Sequence, residues 1–322
     1  MSVTLNITMP VFNRYAATQK SLLALYKSSR EIPFSITVVD NGSDGTVTKR
    51  LIELAEGGII DKLFLLPRNM GISCAANIGW DMTPAPFYMK LDNDTVMRDP
   101  QWLPKLFRLW RHGASLSTLG GAYDKKMLLR NPGALHTEDG ILGACPSNLP
   151  GQAILIPKGV SDILGQRNED YGLYGTEDGD YGLRMNCASF PQYYYHGPDF
   201  FTDLHIDDTK ETYLARGINK QTEQLSSFGR TGLFPANNAL FNLCVRSWKV
   251  MRRYAIDDIY DKYHVHVVER EEYVEFRKDL DRVVALIYKI PQSEWSDKFI
   301  MRLKRLMAGH GQDCDSMPGS VS

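Results

Sequence analysis

Two acidic residues follow a short apolar stretch in the first third of the chain. Residues 87–91 are Phe-Tyr-Met-Lys-Leu, and Asp92 and Asp94 come directly after them with Asn93 in between. Residues i and i+2 of an extended chain point the same way, so both carboxylates can face one divalent cation. Mg²⁺ and Mn²⁺ prefer oxygen ligands and leave positions open for substrate phosphates. The pattern predicts a metal site at the end of a buried strand, although two such acids are more often simply solvated.

A second acidic pair, Glu177 and Asp178, precedes a predicted helix that carries Asp180 and Arg184 at the favourable i,i+4 spacing. A carboxylate beside a hydroxyl can take its proton while the oxygen attacks an electrophile. Acids are also favoured at a helix N-terminus for structural reasons alone. A similar pair at 138–139 has no Asp-x-x-x-Arg helix after it. The 177–178 pair is therefore the stronger candidate for general-base chemistry.

The elements that must position these acids alternate between strand and helix. The strand-like segments span residues 3–9, 34–39, 63–66 and 87–91. Their alternation with helices is typical of a doubly wound α/β fold, with a mostly parallel sheet flanked by helices. Such sheets bind ligands at the carboxyl ends of their strands. We therefore expect Asp92 and Asp94 to lie at a ligand-binding edge.

The loops after these strands bring further polar residues to the same edge. They carry Asn13, Arg14, Asp40, Arg68 and Asn69. Asn13 is also a candidate N-cap of the helix that follows, Asp40 could cap the next helix, and Arg68 could be a solvated surface charge. Asn77, in the third predicted helix, could satisfy a backbone group. Taken singly, these positions leave both uses open.

The rest of the chain extends this domain and then becomes helical. Helices are predicted at 100–111, 157–164 and from 178, and strands at 115–122, 152–156 and 193–195, whereas 125–148 shows no clear period. Further helices are predicted at 238–251, 276–287 and 298–307. We expect an α/β domain over residues 1–235, a C-terminal helical region over 236–308 and a disordered tail over 309–322.

The helix predicted at 298–307 has a basic face opposite an apolar one. The basic residues are Lys298, Arg302, Lys304 and Arg305, and the apolar residues are Phe299, Ile300, Leu303, Leu306 and Met307. This composition suits a peripheral helix on an anionic membrane surface. A helix docked on the α/β domain fits the same pattern at least as well, so both interpretations stay open.

Composition excludes several classes of protein. The chain has 322 residues, 43% of them hydrophobic, and a net charge of −1, which indicates a globular protein and argues against nucleic-acid binding. Its five cysteines are scattered, so we expect reduced thiols in a cytoplasmic setting. We expect neither a signal peptide nor a membrane span. No Gly-x-Gly-x-x-Gly follows the first strand, and no P-loop motif occurs.

Four motifs stand at the loop positions of the N-terminal half. They are Met9–Arg14 (Met-Pro-Val-Phe-Asn-Arg), Val39–Thr46 (Val-Asp-Asn-Gly-Ser-Asp-Gly-Thr), Asn69–Asn77 (Asn-Met-Gly-Ile-Ser-Cys-Ala-Ala-Asn) and Leu91–Thr95 (Leu-Asp-Asn-Asp-Thr). Their residues, order and spacing resemble the motifs of family 2 glycosyltransferases of the GT-A fold. The resemblance implies transfer of a sugar from a nucleoside diphosphate donor, with a UDP- or dTDP-type donor favoured. The acceptor would be a hydroxyl of a glycan or of a lipid-linked glycan.

The resemblance also implies roles for individual residues. Asp178, with Glu177 beside it, would be the general base of an inverting reaction. A divalent cation, Mn²⁺ or Mg²⁺, would be held by Asp92, Asp94 and His205. His196 competes for the third position, because the interval to His205 looks longer than usual. The nucleotide would be bound by Pro10, Phe12, Asn13, Arg14, Asp40, Arg68, Asn69, Gly71, Asn77, Asp92 and Asn93.

Two alternatives to this function stay open. A retaining glycosyltransferase uses the same fold, and a non-catalytic relative could bind a nucleotide sugar or a glycan without turnover. A sugar-1-phosphate nucleotidyltransferase would normally carry an N-terminal glycine-rich loop with basic residues, which this sequence lacks. We expect a cytoplasmic enzyme of polysaccharide biosynthesis, with any membrane contact through residues 298–307 on the inner membrane face.

Overall fold

A computed structural model of the protein describes residues 3–121, 133–145, 151–197, 200–203 and 233–287, together with Leu214, Lys289, Met301 and Leu303. Its strands are β1 (Leu5–Val11), β2 (Phe34–Asp40), β3 (Lys62–Leu65), β4 (Phe87–Leu91), β5 (Thr95–Met97), β6 (Thr118–Gly121), β7 (Leu135–Thr137), β8 (Gly140–Ala144), β9 (Ala153–Pro157), β10 (Gln192–His196), β11 (Phe201–Asp203), β12 (Tyr254–Ile259) and β13 (Val265–Glu269). Its helices are α1 (Tyr15–Tyr26), α2 (Gly45–Glu56), α3 (Ile72–Met82), α4 (Trp102–Trp110), α5 (Lys158–Leu164), α6 (Glu177–Cys187), α7 (Leu233–Asn242) and α8 (Glu271–Ile287).

The central sheet has nine strands in the order β3-β2-β1-β4-β9-β6-β10-β8-β7. Strands β3, β2, β1 and β4 are parallel to one another. Beyond them, β9 is antiparallel to both β4 and β6. The predicted doubly wound α/β sheet flanked by helices is confirmed, and the parallel part carries all four sequence motifs. The antiparallel strand β9 begins beside the end of β4, because Ala153 lies opposite Leu91.

Helix α3 packs tightly against β1 because small residues face the sheet. Gly79 approaches β1 so closely that an added Cβ would lie 2.4 Å from the methyl group of Thr8. The buried side chain of Asn6 donates to the carbonyl oxygens of Gly79 (2.9 Å) and Thr83 (3.0 Å). A buried polar group in a central strand is thereby satisfied at no cost. The contact fixes α3, and with it the loop after β3, at the carboxyl edge of the sheet.

The C-terminal region differs from the predicted set of helices. The helix predicted at 238–251 is wrong beyond residue 242, because α7 ends there and Cys244 takes a left-handed conformation with φ 54°. The following segment forms the antiparallel hairpin β12–β13. The helix predicted at 276–287 is confirmed as the later part of α8. The proposed domain boundary at residue 235 falls inside α7 (Leu233–Asn242).

Most of the helix predicted at 298–307 lies outside the described residues, as does the tail predicted at 309–322. Met301 is half exposed, whereas Leu303 is fully buried. Leu303 belongs to the same apolar cluster as Tyr273, Phe276 and Leu280 of α8. This burial favours the interpretation in which the segment docks on the rest of the protein.

The end of α6 offers a test of local stability. Ser189 is exposed and lies just after the helix in a left-handed conformation with φ 57°. Glycine has no Cβ to strain there, so Ser189→Gly is expected to raise the free energy of unfolding by about 1 kcal/mol in urea denaturation. Ser189→Ala keeps the Cβ and is expected to change it by less than ~0.5 kcal/mol. Equal stabilisation by both variants would contradict backbone strain as the cause.

Candidate functional site

The loops after β1 and β2 meet at the carboxyl edge of the sheet. Val11, the last residue of β1, lies opposite Asp40, the last residue of β2. Asn13 joins the two loops: its backbone N–H donates to Ser43 Oγ (2.8 Å), and its Oδ1 accepts from the backbone N–H of Asp44 (2.9 Å). The prediction that Asn13 caps α1 is wrong, since Arg14 occupies the N-cap position and both residues are left-handed.

Asp40 is buried, and both of its carboxylate oxygens have partners. Oδ1 accepts from the backbone N–H of Ser43 (3.0 Å), and Oδ2 accepts from the hydroxyl of Thr48 (2.7 Å). These bonds hold the β2–α2 loop in shape. The prediction that Asp40 caps α2 is wrong, since Asp44 occupies the N-cap position of that helix. Pro10 and Phe12 are half-buried beside this loop, and Arg68 is exposed. Their contacts with a nucleotide stay predictions.

The loops after β2 and β3 are joined by a residue that the sequence did not single out. Asn41 donates to Asn69 Oδ1 (2.9 Å) and accepts from the backbone N–H of Met70 (2.8 Å). Its position inside the turn-forming run Asp-Asn-Gly was the only signal of this role. Gly71 follows with φ 93°, and a Cβ there would lie 2.2 Å from the carbonyl oxygen of Gly172. Only glycine fits this approach between the loop and the segment before α6.

Asn77 of α3 is fully buried and uses its whole amide within the protein. Its Nδ2 donates to the carbonyl oxygen of Arg167 (2.9 Å) and to Glu169 Oε1 (2.7 Å), and its Oδ1 accepts from the backbone N–H of Arg167 (2.9 Å). This is the backbone-satisfying use that the sequence left open. It links the third motif to the segment that precedes the acids of α6.

The two acids after β4 are each paired with a cation of the chain. Lys90, almost fully buried in β4, forms an ion pair with Asp92 and donates to the carbonyl oxygen of Gly151 (2.8 Å). Arg14 Nη1 donates to Asp94 Oδ2 at 2.6 Å. Burial raises the pKa of Asp92 against the opposing charge of Lys90. A lysine inside an otherwise apolar strand was a signal of this pairing that sequence reasoning missed.

Between these acids, Asn93 contacts α1 through its side chain. Its Nδ2 donates to the hydroxyl of Thr18 (2.9 Å), and its carbonyl oxygen accepts from Ser21 Oγ (3.2 Å). The turn that carries Asp92 and Asp94 is thereby tied to the helix after the first motif. The positions of both carboxylates therefore depend on α1 as well as on β4.

The pKa values of the two acids at the start of α6, Glu177 and Asp178, are shifted in opposite directions. Asp178 Oδ1 accepts from Nη1 of the fully buried Arg167. Burial alone would raise the pKa of Asp178, but the charges of Arg167 and Lys90 outweigh it and hold that pKa below its usual value. Burial and the charge of Asp178 raise the pKa of Glu177 to about 7. Asp178 is therefore the stronger acid of the pair and is ionised at neutral pH.

The predicted pair of Asp180 and Arg184 is confirmed, but it lies in the interior. Arg184 Nε donates to Asp180 Oδ2 at 2.7 Å, and both side chains are fully buried. Asp180 Oδ1 also accepts from Asn168 (3.0 Å) and from the hydroxyl of Tyr171 (2.8 Å). These bonds anchor α6 and leave Asp180 without access to a substrate.

Asp139, in the competing acidic pair at 138–139, also has a structural partner. Arg108 donates to both carboxylate oxygens of Asp139, at 2.8 and 2.7 Å. The hydrogen bonds from Arg108 hold the pKa of Asp139 below its usual value. The preference for the 177–178 pair agrees with this contact.

Of the two histidines that compete for the third position in the predicted metal site, only His196 lies within the described ranges. His205 falls within residues 204–213, which the structure does not describe, and His196 ends β10. Among the described residues, no group of three or more His, Cys, Asp and Glu side chains could hold a metal ion. Asp92 and Asp94 still provide two hard oxygen ligands, and a Mg²⁺ or Mn²⁺ ion commonly completes its shell with substrate phosphates and water. The donor chemistry of this pair fits such an ion.

Within the described ranges, no helix is long and apolar enough to cross a membrane.

Comparison with known proteins shows similarity to glycosyltransferases in sequence and in fold. Residues 6–147 match the model of the family described as "Glycosyl transferase family 2". A mannosyltransferase from Pyrobaculum calidifontis, solved with GDP-Man and Mn²⁺, superposes with a TM-score of 0.50 at 14% sequence identity. That alignment covers 67% of this chain and 61% of the mannosyltransferase, which is less than two thirds of its length. S. aureus TarS superposes with a TM-score of 0.47 at 14% identity, covering 75% of this chain and 43% of TarS. A search of curated proteins finds no match.

Proposed function

We propose that the protein transfers a sugar from a nucleoside diphosphate sugar to an acceptor hydroxyl, because residues 6–147 match the model of glycosyl transferase family 2. The acceptor is a glycan or a lipid-linked glycan, and the reaction inverts the anomeric centre. The observation that carries the proposal is the ionised Asp178 near the acids that end β4. Asp178 Oδ2 lies against Gly151, whose carbonyl oxygen accepts from Lys90 Nζ (2.8 Å), and Lys90 is the ion-pair partner of Asp92.

In the proposed reaction the acceptor oxygen attacks the anomeric carbon of the donor sugar. The proton of the acceptor hydroxyl passes to the carboxylate of Asp178, and the bond between the anomeric carbon and the phosphate oxygen breaks. The nucleoside diphosphate leaves with the electron pair of that bond. Asp178 suits the role of general base because its pKa is held low by Arg167, so it is unprotonated at neutral pH. The configuration of the product distinguishes this reaction from a retaining one.

The proposed cation site consists of Asp92 and Asp94, with His205 as third ligand. Mn²⁺ or Mg²⁺ bound there would supply positive charge to the departing diphosphate. In the protein alone, Lys90 and Arg14 neutralise these two acids. A cation bound there would therefore share the two carboxylates with Lys90 and Arg14.

A donor panel tests the proposed function. UDP-, GDP- and dTDP-sugars are incubated with the full chain and Mn²⁺, Mg²⁺ or EDTA, and release of the nucleoside diphosphate is measured. We expect release from one donor class, with UDP or dTDP favoured, and its loss in EDTA. GDP-mannose belongs in the panel because the mannosyltransferase with this fold was solved with it. Failure of every donor to bind or to be cleaved would contradict a glycosyltransferase.

Asp40 is the residue through which the nucleotide base is expected to be recognised. Asp40→Ala is expected to weaken UDP or dTDP binding by ~1–3 kcal/mol in calorimetry, because a polar partner in the site is lost. Thr48→Val is the matched control, since it removes the 2.7 Å hydrogen bond to Asp40 Oδ2 and leaves the carboxylate in place. Equal weakening by both variants would assign Asp40 to loop structure, and unchanged affinity in Asp40→Ala would remove it from the site.

Peripheral membrane contact through residues 298–307 is the alternative to docking of that segment. A chain that ends at Pro291 separates the two. Docking, which the burial of Leu303 favours, predicts that the truncated protein loses stability. Membrane contact predicts that it keeps donor hydrolysis and loses binding to anionic liposomes, with binding of the full chain falling as salt rises. Equal pelleting of both chains with liposomes would contradict the membrane contact.

A further inference from the structure

Arg167 lies in the segment between α5 and α6, and its backbone is fixed on both sides of the residue. The backbone N–H donates to Asn77 Oδ1, and the carbonyl oxygen accepts from Asn77 Nδ2, each at 2.9 Å. Asn77 is fully buried in α3, which packs against β1. The backbone of Arg167 is therefore held in place by α3, and through α3 by the parallel part of the sheet.

The guanidinium of Arg167 has one carboxylate as its counterion. Its side chain is fully buried, and Nη1 donates to Asp178 Oδ1. Within the described residues, Nε and Nη2 have no hydrogen-bond partner. A buried cation of this kind is costly unless a carboxylate compensates it. The ion pair therefore fixes the position of the Asp178 carboxylate as well as that of the Arg167 guanidinium.

The second oxygen of Asp178 lies in a space that exists because residue 151 is glycine. A Cβ on Gly151 would lie 1.7 Å from Asp178 Oδ2, which no side chain permits. The carbonyl oxygen of Gly151 accepts from Lys90 Nζ (2.8 Å), which fixes that backbone to β4. In the part of the chain that the structure describes, no hydrogen bond reaches Oδ2. One oxygen of the carboxylate is bound by Arg167 and the other lies against Gly151, while 22% of the Asp178 side chain stays exposed to solvent.

We propose that Arg167 and Gly151 are positioning residues that orient the Asp178 carboxylate, so that Oδ2 is the oxygen that accepts the proton of the acceptor hydroxyl. The inference rests on the proposed function and adds to it which oxygen acts and what holds it. The proton moves from the hydroxyl to Oδ2 as the hydroxyl oxygen bonds to the anomeric carbon and the nucleoside diphosphate departs. Oδ1 keeps its bond to Arg167 throughout.

The pH dependence of the reaction follows from the charges that surround the Asp178 carboxylate. Asp178 is faced by Arg167 from the preceding segment, by Lys90 from β4, by Asp92 beyond β4 and by its neighbour Glu177. Arg167 is the largest charge that lowers its pKa, and burial opposes it. Removal of Arg167 therefore raises the pKa of Asp178. A base must be unprotonated, so the acid limb of the pH–rate profile moves to higher pH.

The experiment compares the wild-type chain with Arg167→Met and Arg167→Lys. The probe is the nucleotide sugar that the wild type cleaves, with water as acceptor, and the rate at saturating donor is followed from pH 5 to pH 9. We expect the acid limb of Arg167→Met to move up by about 1–3 pH units, with Arg167→Lys restoring part of the shift. Donor affinity stays unchanged. In an Asp178→Asn background, Arg167→Met adds no further loss of rate.

A structural role for Arg167 predicts another outcome, namely an unshifted profile and a rate loss that adds to that of Asp178→Asn. That result would overturn the inference while the proposed function stands, whereas absence of donor cleavage by the wild type would overturn the function itself. Gly151→Ala provides a second test if Arg167→Met does not fold. It is expected to lower the rate about 10²-fold with donor affinity retained. A wild-type rate in Gly151→Ala would contradict the inference, because it would show that the close approach of Asp178 Oδ2 to residue 151 does not matter for the reaction.

Discussion

Replacing Asp178 by asparagine is expected to lower the rate of sugar transfer by roughly 10²–10⁴-fold while donor affinity is unchanged. The amide has the size and shape of the carboxylate, and its oxygen can still accept a hydrogen bond from Arg167. It cannot take up a proton at neutral pH. Because Asp178 acts only on the acceptor proton in the proposed reaction, the donor keeps all of its contacts in this variant.

Asp94→Ala provides the contrast, since Asp94 is placed on the donor side of the reaction. It is a proposed ligand of the cation, and it pairs with Arg14 at 2.6 Å. Its loss is expected to lower metal-dependent donor affinity and the transfer rate together. Calorimetry of the donor with Mn²⁺ and transfer rates at saturating donor, measured on both variants, separate the two roles.

Asp139→Asn is the matched control for Asp178→Asn, because Asp139 is also a buried acid that accepts hydrogen bonds from an arginine. Arg108 contacts it at 2.7 Å, and transfer is expected to stay at the wild-type rate. Near-normal transfer by Asp178→Asn would reject the assigned base. Glu177 would then be the remaining acid of the pair to test, because Asp180 is fully buried in its pair with Arg184.

The parts of this fold that sequence predicted are those whose signals are local. Strands β1, β2 and β4 are short runs of apolar or β-branched residues ended by polar turns, and a helix follows β1 and β2 within a few residues. Each loop then lies at the carboxyl edge by the geometry of a parallel sheet. This is why the first, second and fourth motifs could be placed together without knowledge of any long-range contact.

The partners of the site residues could not be predicted, because they come from distant parts of the chain. Arg14 and Asp94 are 80 residues apart, and Asn77 and Arg167 are 90 apart. Nothing in the local spacing indicates that Asn77 serves the backbone of Arg167 or that Arg167 reaches Asp178. The sequence therefore identified the acids but left open which of them is ionised.

The C-terminal region was mispredicted for a related reason. The apolar residues after Asn238 fit a helical period, but the chain reverses at Cys244, whose φ of 54° ends any helix. Strands β12 and β13 then pair with each other, and most of their residues are exposed or only partly buried. A two-stranded hairpin of this kind gains its stability from what it packs on, in this case the cluster that includes Val39 and Cys74. That contact has no signature within the hairpin itself.

Arg246→Met is expected to lower the free energy of unfolding by about 3–5 kcal/mol, the cost of leaving a buried charge without its partner. Arg246 Nη1 donates to Asp170 Oδ2 at 2.7 Å, and both side chains are fully buried. Asp170 also accepts from the hydroxyl of Tyr273 in α8 (2.7 Å). The loss would be measured by urea denaturation followed by circular dichroism. Arg282→Met is the control, because its pair with Asp279 is on the surface and is expected to contribute less than ~1 kcal/mol.

Adding Asp170→Asn to Arg246→Met tests whether the uncompensated charge is the cause. The double variant removes the buried carboxylate, so it is expected to recover part of the stability that Arg246→Met loses. Lost packing alone predicts the opposite, a further decrease, and a cost for Arg246→Met no larger than for Arg282→Met would contradict the argument altogether. Asp170 lies three residues after Arg167 in a fully buried segment. Its pair with Arg246 therefore makes the C-terminal region part of the support of Asp178, and the variant should lose transfer activity at denaturant concentrations that the wild type tolerates.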